Sequence, residues 1–167
     1  MSLPAPVGEA GISGPGPRYV LLYCALPILV GGLIYLAFRD DSLLMFRWAG
    51  WVGLDELIHA GRVHSLPFRS FVPNWVLFSV PDGVWVFAAT AFFARLWHDG
   101  HWALRVFWIG MGPGMAIGGE FGQLPILGLV PGTFDPADLL FYVVSGLAAF
   151  ALAQRAARRD RARSAAG

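Results

Sequence analysis

Tyr19-Val-Leu-Leu-Tyr-Cys-Ala-Leu-Pro-Ile-Leu-Val-Gly-Gly-Leu-Ile-Tyr-Leu-Ala-Phe38 runs directly into Arg39-Asp40-Asp41. None of residues 19–38 is charged. About 20 mostly apolar residues let a helix cross a hydrocarbon core about 30 Å thick. The charged triplet then marks where the chain leaves the apolar phase. No basic segment opens the chain and no small-residue cleavage site follows Phe38, so the run reads as a retained span rather than a secretory leader. Residues 1–17 are rich in Pro, Gly and Ala without a hydrophobic period, and read as a disordered tail.

Composition extends this reading to the whole chain. Soluble domains carry about 25% charged residues; these 167 residues carry 14%, with 56% hydrophobic. The chain therefore reads as an integral membrane protein. Residues 18–155 form a single transmembrane domain, and 156–167 form a basic tail. All 12 basic residues are Arg. Without lysine, Schiff-base chemistry on the chain is excluded. Cys24 is alone inside an apolar run, so it reads as a small buried hydrophobe.

Residues 102–120 and 136–154 are further spans. Residues 72–96 qualify less cleanly, because Pro81-Asp82 interrupts them. The run after that break, 84–97, would extend only about 21 Å as a helix. The span must start before Pro81, or a half-helix must complete it. Residues 42–60 contain Arg47, Asp55 and Glu56 beside Trp48 and Trp51, a mixture suited to the interface. The expected fold is an all-α transmembrane bundle of four spans, or five if 42–60 also crosses. Otherwise that segment is an interfacial or re-entrant helix after the first span. Arg155, Arg158, Arg159, Arg161 and Arg163 place the C-terminus in the cytoplasm by the positive-inside rule.

On this topology Asp82, Glu120, Gln123, Asp135 and Asp138 share the outer face with Arg39, Arg62 and Arg69. Much of the acidity has a local explanation. Asp135-Pro136-Ala-Asp138 has the pattern of a helix start, with Asp135 as N-cap and Pro136 as first residue. Ser79-Val-Pro-Asp82 has capping-box spacing. Glu120 has no such explanation. It ends a helix, where the macrodipole disfavours an anion, and no basic residue lies between Arg105 and Arg155. It needs an arginine from 39–69, a cation or water, or else a proton. Intramembrane carboxylates of this kind are functional-site candidates. His98 and His101 flank a short turn and read as solvated. No zinc spacing or nucleotide loop is present, so no cofactor is called for. Mixed Asp/Glu oxygens suit a hard cation without specifying one. The arginine tail reads as an inner-leaflet contact, with no sign of nucleic-acid binding.

Glu120-x-x-Gln123, a loop, Thr133-Phe-Asp135-x-x-Asp138 and an apolar helix resemble the VanZ-like family of small bacterial membrane proteins. The resemblance covers residues 118–146. Pro81-Asp82-Gly-Val-Trp85 and residues around Phe38-Arg39 resemble a related set. The family pattern has Arg at the position of Gly132 and Asn at that of Tyr142, so Arg39, Arg62 or Arg69 would replace the missing cation. The resemblance implies a bacterial inner-membrane location, a link to glycopeptide resistance, and Glu120, Gln123, Asp135 and Asp138 as site residues. Three readings stay open. One is a carboxylate-lined outer site for an envelope lipid, glycan headgroup, peptide terminus or cation. Another is a non-catalytic subunit or scaffold, packed on a membrane partner or on its own copies. The last is an envelope hydrolase or transferase.

Overall fold

A computed structural model describes residues 14–41, 44–130 and 132–166. Most of the N-terminal tail, together with Ser42, Leu43 and Pro131, lies outside the described residues. Among the described residues the regular structure is all helical, joined by turns and loops. Helix α1, Pro17–Phe38, begins with Pro at its first position, where the missing N–H costs nothing. One turn, Leu21–Ala25, is wound wider than an α-helix, just ahead of Pro27. Two short helices follow, α2 (Leu44–Trp51) and α3 (Asp55–Ser65), then a tighter turn at Leu66–Phe71. Helices α4 (Asn74–Leu96), α5 (Trp102–Gly122) and α6 (Pro136–Ala166) complete the chain.

Among the described residues, three helices are long and apolar enough to cross a membrane: Pro17–Phe38, Asn74–Leu96 and Pro136–Arg163. They fit a multi-pass membrane protein. Helix α5, expected as a further span, has 21 residues and so reaches about 31 Å. Its six glycines, Pro113, Arg105 and Glu120 dilute its apolar character, and it is not one of the three. Residues 44–65 form two exposed helices separated at Gly53, whose φ of +74° suits only glycine comfortably.

Helix α4 is the centre of the bundle. Its apolar stretch is 44% buried, against 11% for α1 and 22% for α6. The apparent break at Pro81 is absent: α4 runs unbroken through it for 23 residues. Ser79 is therefore not an N-cap, and the capping-box reading of Ser79–Asp82 is corrected. The proline and Ser79 are both fully buried against neighbours, and tertiary packing overrides the local preference to break. Helix α6 lies alongside α4 in the same direction. Trp75 stacks on Phe141 at one end, and Arg95 bonds Asp160 at the other. Ala149, Ala153 and Ala157 recur every fourth residue and are at most 2% exposed. Small residues at that spacing let helix backbones approach closely. Gly83 completes the seam, since a Cβ there would lie 3.1 Å from Ser145 Oγ.

Helix α1 runs antiparallel to α4. The Tyr19 hydroxyl donates to the Ala91 carbonyl near one end, and Arg39 stacks on Phe78 near the other. At Gly31 a Cβ would sit 2.6 Å from Trp85 Nε1. Trp85 in turn stacks on Tyr35 and donates to the Ile28 carbonyl.

The exit of α1 is closed by side chains from α3 and the turn after it. Arg62 Nη1 donates to the carbonyls of Leu36 (2.9 Å) and Arg39 (2.8 Å). Ser65 donates to Ala37 and Arg69 to Phe38. Four successive carbonyls that a helix end leaves without internal partners are thus satisfied, two of the donors being cations at the favourable pole of the dipole.

Two consequences are testable. Arg62→Met should lower unfolding stability in detergent by about 2–3 kcal/mol, the scale of charged hydrogen bonds left unmade. A change below about 0.5 kcal/mol would refute the closing role. Gly31→Leu should cost about 1–3 kcal/mol by overpacking against Trp85, and Trp85→Ala should relieve part of that loss.

Candidate functional site

Four chain segments meet at one end of the bundle: the exit of α1, the first third of α4, the exit of α5 and the start of α6. They enclose a cavity of about 370 Å³ lined by Arg39, Phe78, Asp82, Gln123, Gly132, Thr133, Asp135 and Asp138. This is within the size range of small-molecule sites.

The start of α6 is built as the motif suggests. Asp135 Oδ1 accepts from the Ala137 N–H at 2.8 Å, with Pro136 at the first helical position. The Asp135 N–H is then left to point outward from the helix, and it donates to Glu120 Oε1 at 2.5 Å. Glu120 is 3% exposed. Its place at the carboxyl end of α5 is unfavourable for an anion, but the amino end of α6 supplies opposite polarity. The group that answers Glu120 is thus a backbone amide. None of Arg39, Arg62 and Arg69 forms an ion pair with it among the described residues. Glu120 stands behind the cavity wall and ties the α5 exit to the α6 start.

The intervening loop folds back on α5. Leu129 and Val130 donate to the Gly122 carbonyl, and a Cβ on Gly122 would lie 2.8 Å from Val130 Cγ2. Gly132 has a φ of +136°, and a Cβ there would lie 2.7 Å from Gln123 Cδ and Oε1. At the position where the resembled pattern carries Arg, a side chain would be strained by the backbone and would have to displace Gln123. Gln123 occupies that space and presents its amide to the cavity.

Arg39 is the cation of the site. Its guanidinium sits 4.6 Å from the ring centroids of both Tyr35 and Phe78, and Nη2 donates to the Tyr35 hydroxyl at 2.9 Å. Two aromatic faces hold it in place. Opposite lie Asp82 and Asp138. Asp82 feels attraction from Arg39 and repulsion from Asp138 and Glu120, and the buried Tyr142 brings its hydroxyl toward it. Oδ1 of Asp138 is buried and has no hydrogen-bond partner among the described residues.

Five of the eight expected site residues therefore meet in one cavity: Arg39, Asp82, Gln123, Asp135 and Asp138. Arg62 and Arg69 do not line it, because their guanidinium groups are spent on the carbonyls of α1. Arg62 also faces the Phe46 ring. Thr133, Phe78 and Tyr35 complete the site. Thr133 lay within the Thr-Phe-Asp motif; the two aromatics carried no sequence signal beyond their bulk. Among the described residues, no three His, Cys, Asp or Glu side chains are grouped to hold a metal ion.

The opposite end holds a polar cluster. His98, expected to be solvated, is 9% exposed. Its Nδ1 lies 2.9 Å from Asp99 Oδ1 and 3.3 Å from Arg161 Nη2, and Arg161 donates to Asp99 at 2.7 Å. Arg95, 8% exposed, pairs with Asp160 at 2.5 Å. The arginine-rich tail continues α6 as helix and anchors two of its residues on the α4 exit, a packing role beyond the expected leaflet contact. Asp99 is held below the usual aspartate range, first by its bond to His98 and then by Arg161.

Removing the acceptor at Glu120 orphans the Asp135 N–H. Glu120→Ala should cost about 1–3 kcal/mol, and Glu120→Gln, which keeps an oxygen, distinctly less. Equal losses would remove the tie from the account. For Asp99, a folded pKa below the unfolded one gives stability that is full above about pH 3.9 and is lost as pH falls through the folded value. The stability gap between wild type and Asp99→Ala should hold from pH 7 to about 4 and shrink below that. A gap independent of pH down to about 2.5 contradicts the assignment.

Comparison with models of known families, with curated proteins and with solved structures finds no match.

Proposed function

We propose that the chain is a VanZ-like, four-span protein of the bacterial inner membrane. Its C-terminus is cytoplasmic, and its cavity opens away from the cytoplasm to bind an envelope headgroup that carries a phosphate and hydrogen-bond donors. One observation carries this reading: a single aromatic-clamped guanidinium faces the carboxylates of Asp82 and Asp138, and the buried Oδ1 of Asp138 has no partner. A buried carboxylate oxygen left unpaired is costly, and an ammonium or hydroxyl of a ligand would satisfy it. Arginine is the preferred side chain for planar phosphate recognition. Aminophospholipids and lipid-linked glycans both offer this combination.

Catalysis has less support. No serine, cysteine or histidine lines the cavity among the described residues, and Ser79 is buried on α4 without a partner. A subunit or scaffold role rests on a different surface. Gly110, Gly114 and Gly118 follow at four-residue spacing on α5, with open space at each. Val106, Phe107 and Met115 on the same helix are exposed. A stable, unaccompanied monomer in mild detergent would count against that second reading.

The binding reading is tested by native mass spectrometry of purified protein with phosphatidylethanolamine, phosphatidylglycerol and a polyprenyl-diphosphate disaccharide. Asp138→Asn and Arg39→Met should each weaken the preferred lipid about tenfold to a hundredfold, the scale of one charged hydrogen bond. Folding should be intact by thermal unfolding. Binding of all three lipids unchanged in both variants would end the proposal.

A further inference from the structure

The end of α1 borders a second cavity. It is an apolar groove of about 290 Å³ between α1 and α3, lined mainly by Leu33, Leu36, Leu54, Leu57, Ile58 and Gly61. Arg62 and Ser65 also line it, and both bond carbonyls of the α1 exit. Arg62 donates to the Arg39 carbonyl, while the Arg39 guanidinium lines the polar cavity. Arg39 thus links the two: its carbonyl is bonded by a residue of the groove, and its guanidinium lines the charged pocket. Leu33, on one wall, belongs to a helix long and apolar enough to cross the membrane, and is 55% exposed. The groove is therefore open to acyl chains along α1.

We propose that the groove holds the hydrocarbon chain of the same lipid whose headgroup enters the Arg39–Asp138 cavity, so that the ligand is recognised as an intact lipid and not as a free headgroup. This rests on the headgroup reading above and adds its substrate class. The phosphate would sit at Arg39, the junction of the two cavities. Donors of the headgroup would face Asp82 and Asp138, and the chain would run back along Leu36 and Leu33 into the bilayer. Burial of the chain adds affinity in proportion to the apolar area removed from water. Part of the advantage is offset by the bilayer, which also accepts the chain.

Gly61 gives a test, because a Cβ built there meets nothing within 4 Å. Gly61→Phe should fill the groove with its ring. Leu57, 70% exposed, gives a second variant, Leu57→Asp, that spoils the groove by charge. Binding is measured for the wild type in detergent with phosphatidylethanolamine, with glycerophosphoethanolamine, and with the polyprenyl-diphosphate disaccharide and its free disaccharide. For whichever headgroup binds, the lipid form should bind at least about tenfold tighter than the free form. Both variants should erase that preference and leave free-headgroup binding unchanged. Asp138→Asn should weaken both forms together. Equal binding of lipid and free forms, or a preference that survives both variants, overturns the groove proposal and leaves the headgroup reading standing. No binding of any form overturns both.

Discussion

The contact between the Glu120 carboxylate and the Asp135 backbone amide fixes the site end of the molecule. It spans 15 residues of chain and brings the carboxyl end of α5 against the amino end of α6. Each of these ends is unfavourable for the bundle when taken alone. A carboxylate at a helix exit opposes the dipole, and a capping residue whose own N–H points away from its helix has a donor to satisfy. Together they cancel. The loop between them is then short of freedom. It folds onto Gly122 and passes Gln123 at Gly132, and so Gln123, Thr133, Asp135 and Asp138 face one space.

The rest of that space depends on α4. Pro81 is accommodated inside a continuous helix, which puts Asp82 one turn below Phe78 and across from Arg39. Arg39 is held by rings, not by a carboxylate: Tyr35 and Phe78 flank it, and the acids stand across the cavity. A guanidinium so oriented keeps N–H donors that a closed ion pair would have consumed. The unpartnered oxygen of Asp138 is the matching half of the same arrangement.

Much of this was legible in residue order. The long uncharged run, the Asp-Pro-Ala-Asp helix start and the isolation of Glu120 each followed from local rules. The convergence of Arg39, Asp82, Gln123, Asp135 and Asp138 followed from topology. What was not legible was where long side chains end. Arg62 and Arg69 lie near Arg39 in sequence and share its charge, yet reach the carbonyls of α1 and not the carboxylates. Nothing in spacing distinguishes a guanidinium bound for a helix end from one bound for a ligand. Backbone partners are likewise invisible to a search for counter-charges, so the Asp135 amide was not among the candidates for Glu120. Ser79–Asp82 misled for a related reason. Its capping pattern is real, but burial of Pro81 in the bundle outweighs it. His98 was misjudged because the partner that helps bury it, Arg161, comes 63 residues later.

The closure of α1 by Arg62, Ser65 and Arg69 has a consequence for how the chain is made. Synthesis completes α1 before any of its closing residues exists. Until residues 62–69 have emerged and turned back, the carbonyls of Leu36, Ala37, Phe38 and Arg39 must be served by water or lipid headgroups. The first helix is therefore not a finished unit when it enters the bilayer. Its upper boundary, and with it the position of Arg39, is settled only when α3 docks. The order of assembly is written into the bonding: the anchor of the site waits for the segment that follows it.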